Sequence, residues 1–163
     1  MLAGEATIGV TEGPVEDGRL GSIEFATRET SLIARPELAA HMNLANPSSK
    51  RSRLPVAIYP AGCYRRSAFE RWAQEMSLEL EIFPESFSTS TLREAALQGM
   101  CFTYIPELAV ADELRKGDLV KMETPGLQKA WPSRFVFDSS RPAPPAALAL
   151  ISVAREAGWR EHH

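Results

Sequence analysis

Two cysteines, Cys63 and Cys101, and three histidines are all that this chain carries of the residues that most often hold metals or activate nucleophiles. The cysteines stand far apart with no C-x-x-C spacing, so neither a zinc site nor a disulfide framework is indicated, and both read as small, buried, reduced thiols. His162 and His163 close the chain, leaving His41, in a polar segment, as the interior imidazole. No serine sits in a G-x-S-x-G elbow, which leaves a catalytic triad without support. Neither G-x-x-x-x-G-K-[ST] nor G-x-G-x-x-G occurs, so no phosphate loop is expected. The neighbouring acids Glu79/Glu81 and Asp112/Glu113 read as solvated faces rather than acid/base pairs. The expectation is a protein without catalysis, metal or cofactor.

Charge and hydropathy exclude further classes. A formal net charge of -3 and a pI near 5.7 give no general attraction to nucleic acid, and Lys50-Arg51-Ser52-Arg53 is too short a basic run to change that. No stretch approaches the roughly 20 apolar residues of a membrane span, and Met1-Leu2-Ala3-Gly4-Glu5 does not open a secretory leader. A cytoplasmic location with no membrane partner is therefore expected. What remains is ample for folding, since 44% of 163 residues are hydrophobic, enough for the core of one domain or two small lobes.

The first third of the chain reads as strand-rich. Ala6-Thr7-Ile8-Gly9-Val10 is a short, partly β-branched run stopped by Thr11-Glu12-Gly13-Pro14. Residues 22–26 and 31–34 look like separate extended segments, and residues 46–50 like a loop. From Leu54 the pattern becomes α/β: short apolar runs alternate with longer periodic ones, as mainly parallel strands and their helices do. Strands are predicted over residues 56–59, 80–83, 102–105, 119–122 and 131–137. A helix over residues 64–76 would bury Phe69, Trp72, Ala73 and Met76. A second helix is predicted to end at Gln98, with Thr91-Leu92-Arg93-Glu94 as its capping box and Gly99 closing it in a left-handed turn. A short helix over residues 108–116 and a final one opened by Pro144-Pro145 complete the pattern.

In open α/β sheets, ligands settle beyond the carboxyl ends of the strands, where helix N-termini offer free N–H groups. Two places qualify. Ala61-Gly62-Cys63-Tyr64 follows the first strand of the α/β region, with residues small enough for close backbone approach. Residues 86–91 put a dense set of hydroxyls at a helix start, more than a single cap requires. Arg65 and Arg66 read as a solvated helix face, and the Phe69/Trp72/Met76 stripe as core.

The order of these elements resembles the effector-binding domain of LysR-type transcriptional regulators over residues 2 to about 156. Gly4-Glu5-Ala6-Thr7-Ile8-Gly9-Val10 is similar to the family's first strand, with Thr7 where an aspartate is common. Residues 29–36, Leu54-Pro55 with its strand, the serine-rich helix start, Gln98-Gly99 through Ile105-Pro106, residues 114–120 and Pro145-Ala146-Ala147 follow in family order. Met100-Cys101 stands where Leu-Gly is usual.

The resemblance implies a type 2 periplasmic-binding-protein-like α/β fold of two lobes with open mixed sheets. Residues 37–130 would form lobe II. Residues 1–36 and 131–163 would supply the crossover strands and an incomplete lobe I, without the family's N-terminal helix-turn-helix. It implies ligand contacts at Thr11 and Glu12 in lobe I, and at Gly62, Cys63, Ser88 and Thr89 in lobe II. Of these, the last four are also where the residues themselves point. The implied partners are a small anionic effector and further copies of the chain, with DNA reached only through a helix-turn-helix that this chain lacks. A stand-alone solute-binding or oligomerisation module of the same fold is the competing expectation.

Overall fold

The computed structural model describes residues 8–42, 44, 52–140, 142 and 145–156. They belong to two compact units: Met1–Arg28 with Ala130–His163, and Glu29–Lys129. In chain order the elements are β1 (Gly9–Thr11), β2 (Leu20–Ala34), α1 (Pro36–Ala39), β3 (Arg53–Ile58), α2 (Tyr64–Glu75) and β4 (Glu79–Glu85). They continue with α3 (Thr89–Leu97), β5 (Phe102–Pro106), a 3-10 turn (Glu107–Val110), α4 (Ala111–Lys116), β6 (Val120–Lys121), β7 (Ala130–Asp138) and α5 (Pro145–Glu156). None of the described helices is long and apolar enough to cross a membrane. The predicted loop over residues 46–50, and residues Ala6, Thr7 and Pro144 of the predicted first strand and last helix, lie outside the described residues.

The two extended segments expected over residues 22–26 and 31–34 are one strand, the fifteen-residue β2. Its first part alternates exposed and half-buried side chains, which gives the weak pattern seen in sequence, whereas its last five residues are all buried. The chain passes from the first compact unit to the second within this strand, at Arg28–Glu29, and returns at Lys129–Ala130.

In the unit of residues 1–28 and 130–163, β7 lies between β1 and β2 and pairs antiparallel with β1, Gly9 opposite Val136 and Thr11 opposite Arg134. Phe25 stacks on Phe135 with centroids 4.3 Å apart. Ile151 and Ala154 of α5 share one small core with Phe135, and Ile8 and Ile23 pack against it.

In residues 29–129 the sheet order is β2-β5-β3-β4, with β6 pairing β2. β3 runs parallel to both β4 and β5, and β2 antiparallel to β5. β3 is buried on both faces and sorts its side chains with the strand period of two. Val56 and Ile58 join one core with Phe69, Trp72 and Tyr104, while Ala57 and Tyr59 join another with Leu92, Ala95, Ala96 and Ile105. α2 covers the first face and α3 the second, a three-layer arrangement that follows from strands apolar on both sides. Burying roughly 1.5–3 kcal/mol worth of side chain at each of Phe69, Leu92 and Ile105 is what holds the layers together.

The helix stops are local. Gly99 has φ +71, a left-handed conformation that ends the α3 segment as its sequence position requires. Across the second face, Arg93 of α3 donates to Glu113 of α4. That guanidinium, with the helix's own backbone N–H after it, holds the Glu113 carboxyl below the usual carboxylate range.

Candidate ligand-binding site

Both sequence-selected places lie at the carboxyl end of the parallel strands. After Ile58 and Tyr59 the chain turns through residues 60–63, the Cys63 N–H donating to the Pro60 carbonyl at 3.4 Å. Gly62 sits at φ +91 inside this turn, a backbone state that disfavours any side chain, and a Cβ there would meet nothing within 4 Å. Cys63 is the N-cap of α2, extended at φ -82 and ψ 129, and its side chain makes no capping hydrogen bond. It is half-buried, not fully packed away as the sequence suggested, because an N-cap residue stands at the rim of its helix. Cys101, by contrast, is buried, and burial raises its thiol pKa.

The neighbouring strand leads to the hydroxyl cluster. Ser86 N–H donates to the Ile58 carbonyl at 3.2 Å, tying the end of β4 to the end of β3. Ser88 is the N-cap of α3 and accepts from the Thr91 N–H at 3.4 Å. The helix therefore starts three residues earlier than the Thr91-x-x-Glu94 spacing suggested. In the run of four consecutive Ser/Thr hydroxyls from Ser88 to Thr91, the extended backbone of Ser88 (φ -84, ψ 111) decides which one caps. Ser88 Oγ also lies 2.7 Å from Ser90 Oγ, and its N–H donates to Ser86 Oγ at 3.1 Å.

Tyr59, the last residue of the strand expected over residues 56–59, joins the two places. Its hydroxyl lies 2.7 Å from Thr89 Oγ1, so the end of β3 is fastened to the first turn of α3. Its ring lies under the Arg65 guanidinium at 5.9 Å, and its carbonyl accepts from Arg66 at 3.3 Å. A tyrosine ending an otherwise aliphatic strand is the signal that was available, because its polar tip needs a partner at the sheet's rim.

Arg65 and Arg66 are corrected by the structure. They do not form a solvated face: both are buried, at 5% and 9% exposure. Arg66 donates to Glu70 Oε1 at 2.8 Å and to Glu85 Oε1 at 2.5 Å, bridging α2 to the end of β4. These partners, Glu70 first, raise the Arg66 pKa despite the opposing effect of burial, so the group stays charged. The result is one rigid rim. Gly62 and Cys63 open α2 on one face of the sheet, and Ser88 and Thr89 open α3 on the other, at the same end of the strands. Two helix N-termini therefore open at this end of the sheet.

Thr11 and Glu12 lie in the other compact unit. Thr11 ends β1, half-buried, its hydroxyl accepting from the Gly13 N–H at 3.3 Å, and Glu12 follows in the bend, also half-buried.

The model of the LysR substrate binding domain matches residues 1–159. The chain belongs to that family. This LysR substrate binding domain is 22% identical over 156 residues to YfiE of Escherichia coli, an uncharacterized HTH-type transcriptional regulator, and spans 96% of its own length but 53% of that protein. Among solved structures, the bromide-bound regulatory domain of HypT from Salmonella typhimurium aligns with a TM-score of 0.75 at 14% identity, covering 96% of this chain and 75% of that one. The CcmR regulatory domain of Synechocystis, in complex with 2-PG, aligns at 0.73 and 14%, covering 99% and 77%. At such identities these neighbours speak for the fold, a type 2 periplasmic-binding-protein-like α/β architecture with open sheets. Membership gives the class of function: a regulatory, effector-binding domain of the LysR type.

Proposed function

We propose that this domain binds a small anionic effector without turning it over, and that Gly62, Cys63, Ser88 and Thr89 contact it. The observation that carries the reading is the convergence of the α2 and α3 starts on one sheet end, fastened there by the Tyr59–Thr89 hydrogen bond. A helix N-terminus favours a negative charge placed beside it by about 0.3–1 kcal/mol when exposed, more when partly buried. The Arg65 guanidinium lies over the Tyr59 ring at the same end of the sheet. Of the structural neighbours, HypT is described with a bromide ion and CcmR with 2-PG. For Thr11 and Glu12 the proposal rests on the family resemblance alone.

In the whole protein, effector binding would favour one arrangement of the regulatory domains over another and so shift the equilibrium of an oligomer on DNA. DNA contact would come from a helix-turn-helix outside these residues, and the site of action would be the cytoplasm. The units of residues 1–28 with 130–163 and 29–129 would correspond to the two lobes of the family.

A thermal-shift panel of small carboxylates and phosphate esters tests this. An acid at a hundredfold its Kd adds about 2.7 kcal/mol of stability. That is a rise of roughly 5–10 °C for a domain of this size. The Ser88→Ala/Thr89→Val variant should lose most of the rise. A shift unchanged in the variant would place the effector elsewhere.

A further inference from the structure

The segment of residues 122–129 has no regular structure, yet it is held at four points to the rest of its unit. Met122 N–H donates to the Leu32 carbonyl at 2.8 Å as the segment leaves β6. The Trp72 indole N–H, from α2, donates to the Pro125 carbonyl at 2.9 Å. The Tyr104 hydroxyl, from β5, donates to the Gln128 carbonyl. Last, the Thr30 N–H donates to the Lys129 carbonyl at 2.8 Å. Within the segment, Thr124 and Leu127 are buried at 2% and 6% exposure.

The two side-chain donors are ends of one row. Phe69 lies between them, 5.5 Å from the Trp72 ring and 5.4 Å, stacked, from the Tyr104 ring. Trp72 and Tyr104 are 3% and 0% exposed, so their polar tips have been spent on this segment's carbonyls rather than on water. Packed, near-rigid rows of this kind move as a body, because close-packed interiors do not deform continuously. The row starts on α2, whose first residues follow Gly62 and Cys63. It ends on the Gln128 carbonyl, one residue before Lys129, which accepts from Thr30 of the outgoing strand and is the last residue before the chain returns to the other compact unit.

We propose that Trp72 and Tyr104 are positioning residues that strap residues 122–129 to α2 and β5, so that a movement of α2 reaches the returning chain at Lys129–Ala130. Its use in regulation rests on the reading of the α2 start as the effector site. The strap itself is tested without effector, so the two can fail separately.

Amide hydrogen exchange on the full chain decides. Tyr104→Phe keeps the ring and deletes only the donor, whereas Trp72→Phe keeps an aromatic side chain but loses the five-membered ring of the indole together with its N–H. Ile58→Val, in the same core, serves as a control that lowers stability without touching the strap. Expected is an acceleration of about fivefold or more at the amides of Thr30 and Leu127 in both donor variants, with β3 amides unchanged. The control should accelerate β3 and the segment alike. No acceleration at Thr30 and Leu127, or an equal acceleration throughout residues 29–129 in the donor variants, would overturn the proposal.

Discussion

Phe69→Ala is expected to cost about 3–5 kcal/mol of folding stability. The side chain is fully buried and stands between Trp72 and Tyr104, so removal leaves a cavity and two aromatic neighbours without their central contact. Backbone collapse is resisted from both sides, by α2 above and by β5 in the middle of the sheet below, which puts the cost toward the upper part of that range. Phe69→Leu should cost markedly less, since most of the volume is kept. Urea denaturation of the two variants measures it, and a loss below about 1.5 kcal/mol for the alanine would mean that the aromatic row does not organise this core.

Arg66→Met is expected to cost about 2–3 kcal/mol. The substitution keeps an apolar stem in the buried position but removes donors to Glu70, to Glu85 and to the Tyr59 carbonyl. Both carboxylates are nearly half exposed, so water takes over part of their solvation and the loss stays below that of a fully buried pair. The carbonyl of Tyr59 is the sharper loss, because it lies among buried groups at the end of β3. Glu85→Gln, which keeps an acceptor, should cost less than half as much. Equal costs for the two variants would show that the Arg66–Glu85 pair, rather than the whole bridge, carries the effect.

Much of residues 54–122 was legible in the sequence because its apolar runs are short and its breakers are unambiguous. β3, α2, β4, α3 and β5 all lie where the alternation of short and periodic runs placed them, and Gly99 stops its helix as its position implied. Phe69, Trp72 and Ala73 are buried as expected, and Met76, at the C-terminal end of α2, only partly. What escaped depended on long-range partners. Arg66 reads as solvent-facing until β4 brings Glu85, nineteen positions away, beside it. Ser88 could not be separated from its neighbouring hydroxyls as the cap, since each has the right chemistry and only backbone dihedrals choose. The continuity of β2 was hidden because its two parts meet different surroundings, one half solvated and one buried on both faces. The short helix α1, opened by Pro36 at its first position, is too brief for any periodicity to betray it.

The candidate residues show the same division. Gly62 and Ser88 were legible from local chemistry, a small residue and a hydroxyl at helix starts. Tyr59 was not, because its role comes from a hydrogen bond to Thr89 thirty residues on. Its hydroxyl makes the two helix starts one rim, which is why the binding reading attaches to the pair of helices rather than to either alone.

Backbone amide chemical-shift mapping of the domain, titrated with whichever small carboxylate or phosphate ester stabilises it, tests that reading most directly. The expected result is that the largest saturable shifts fall on Gly62, Cys63, Ser88 and Thr89 together, with one common Kd. Saturable shifts confined to other residues, or separate affinities for the α2 and α3 starts, would contradict it.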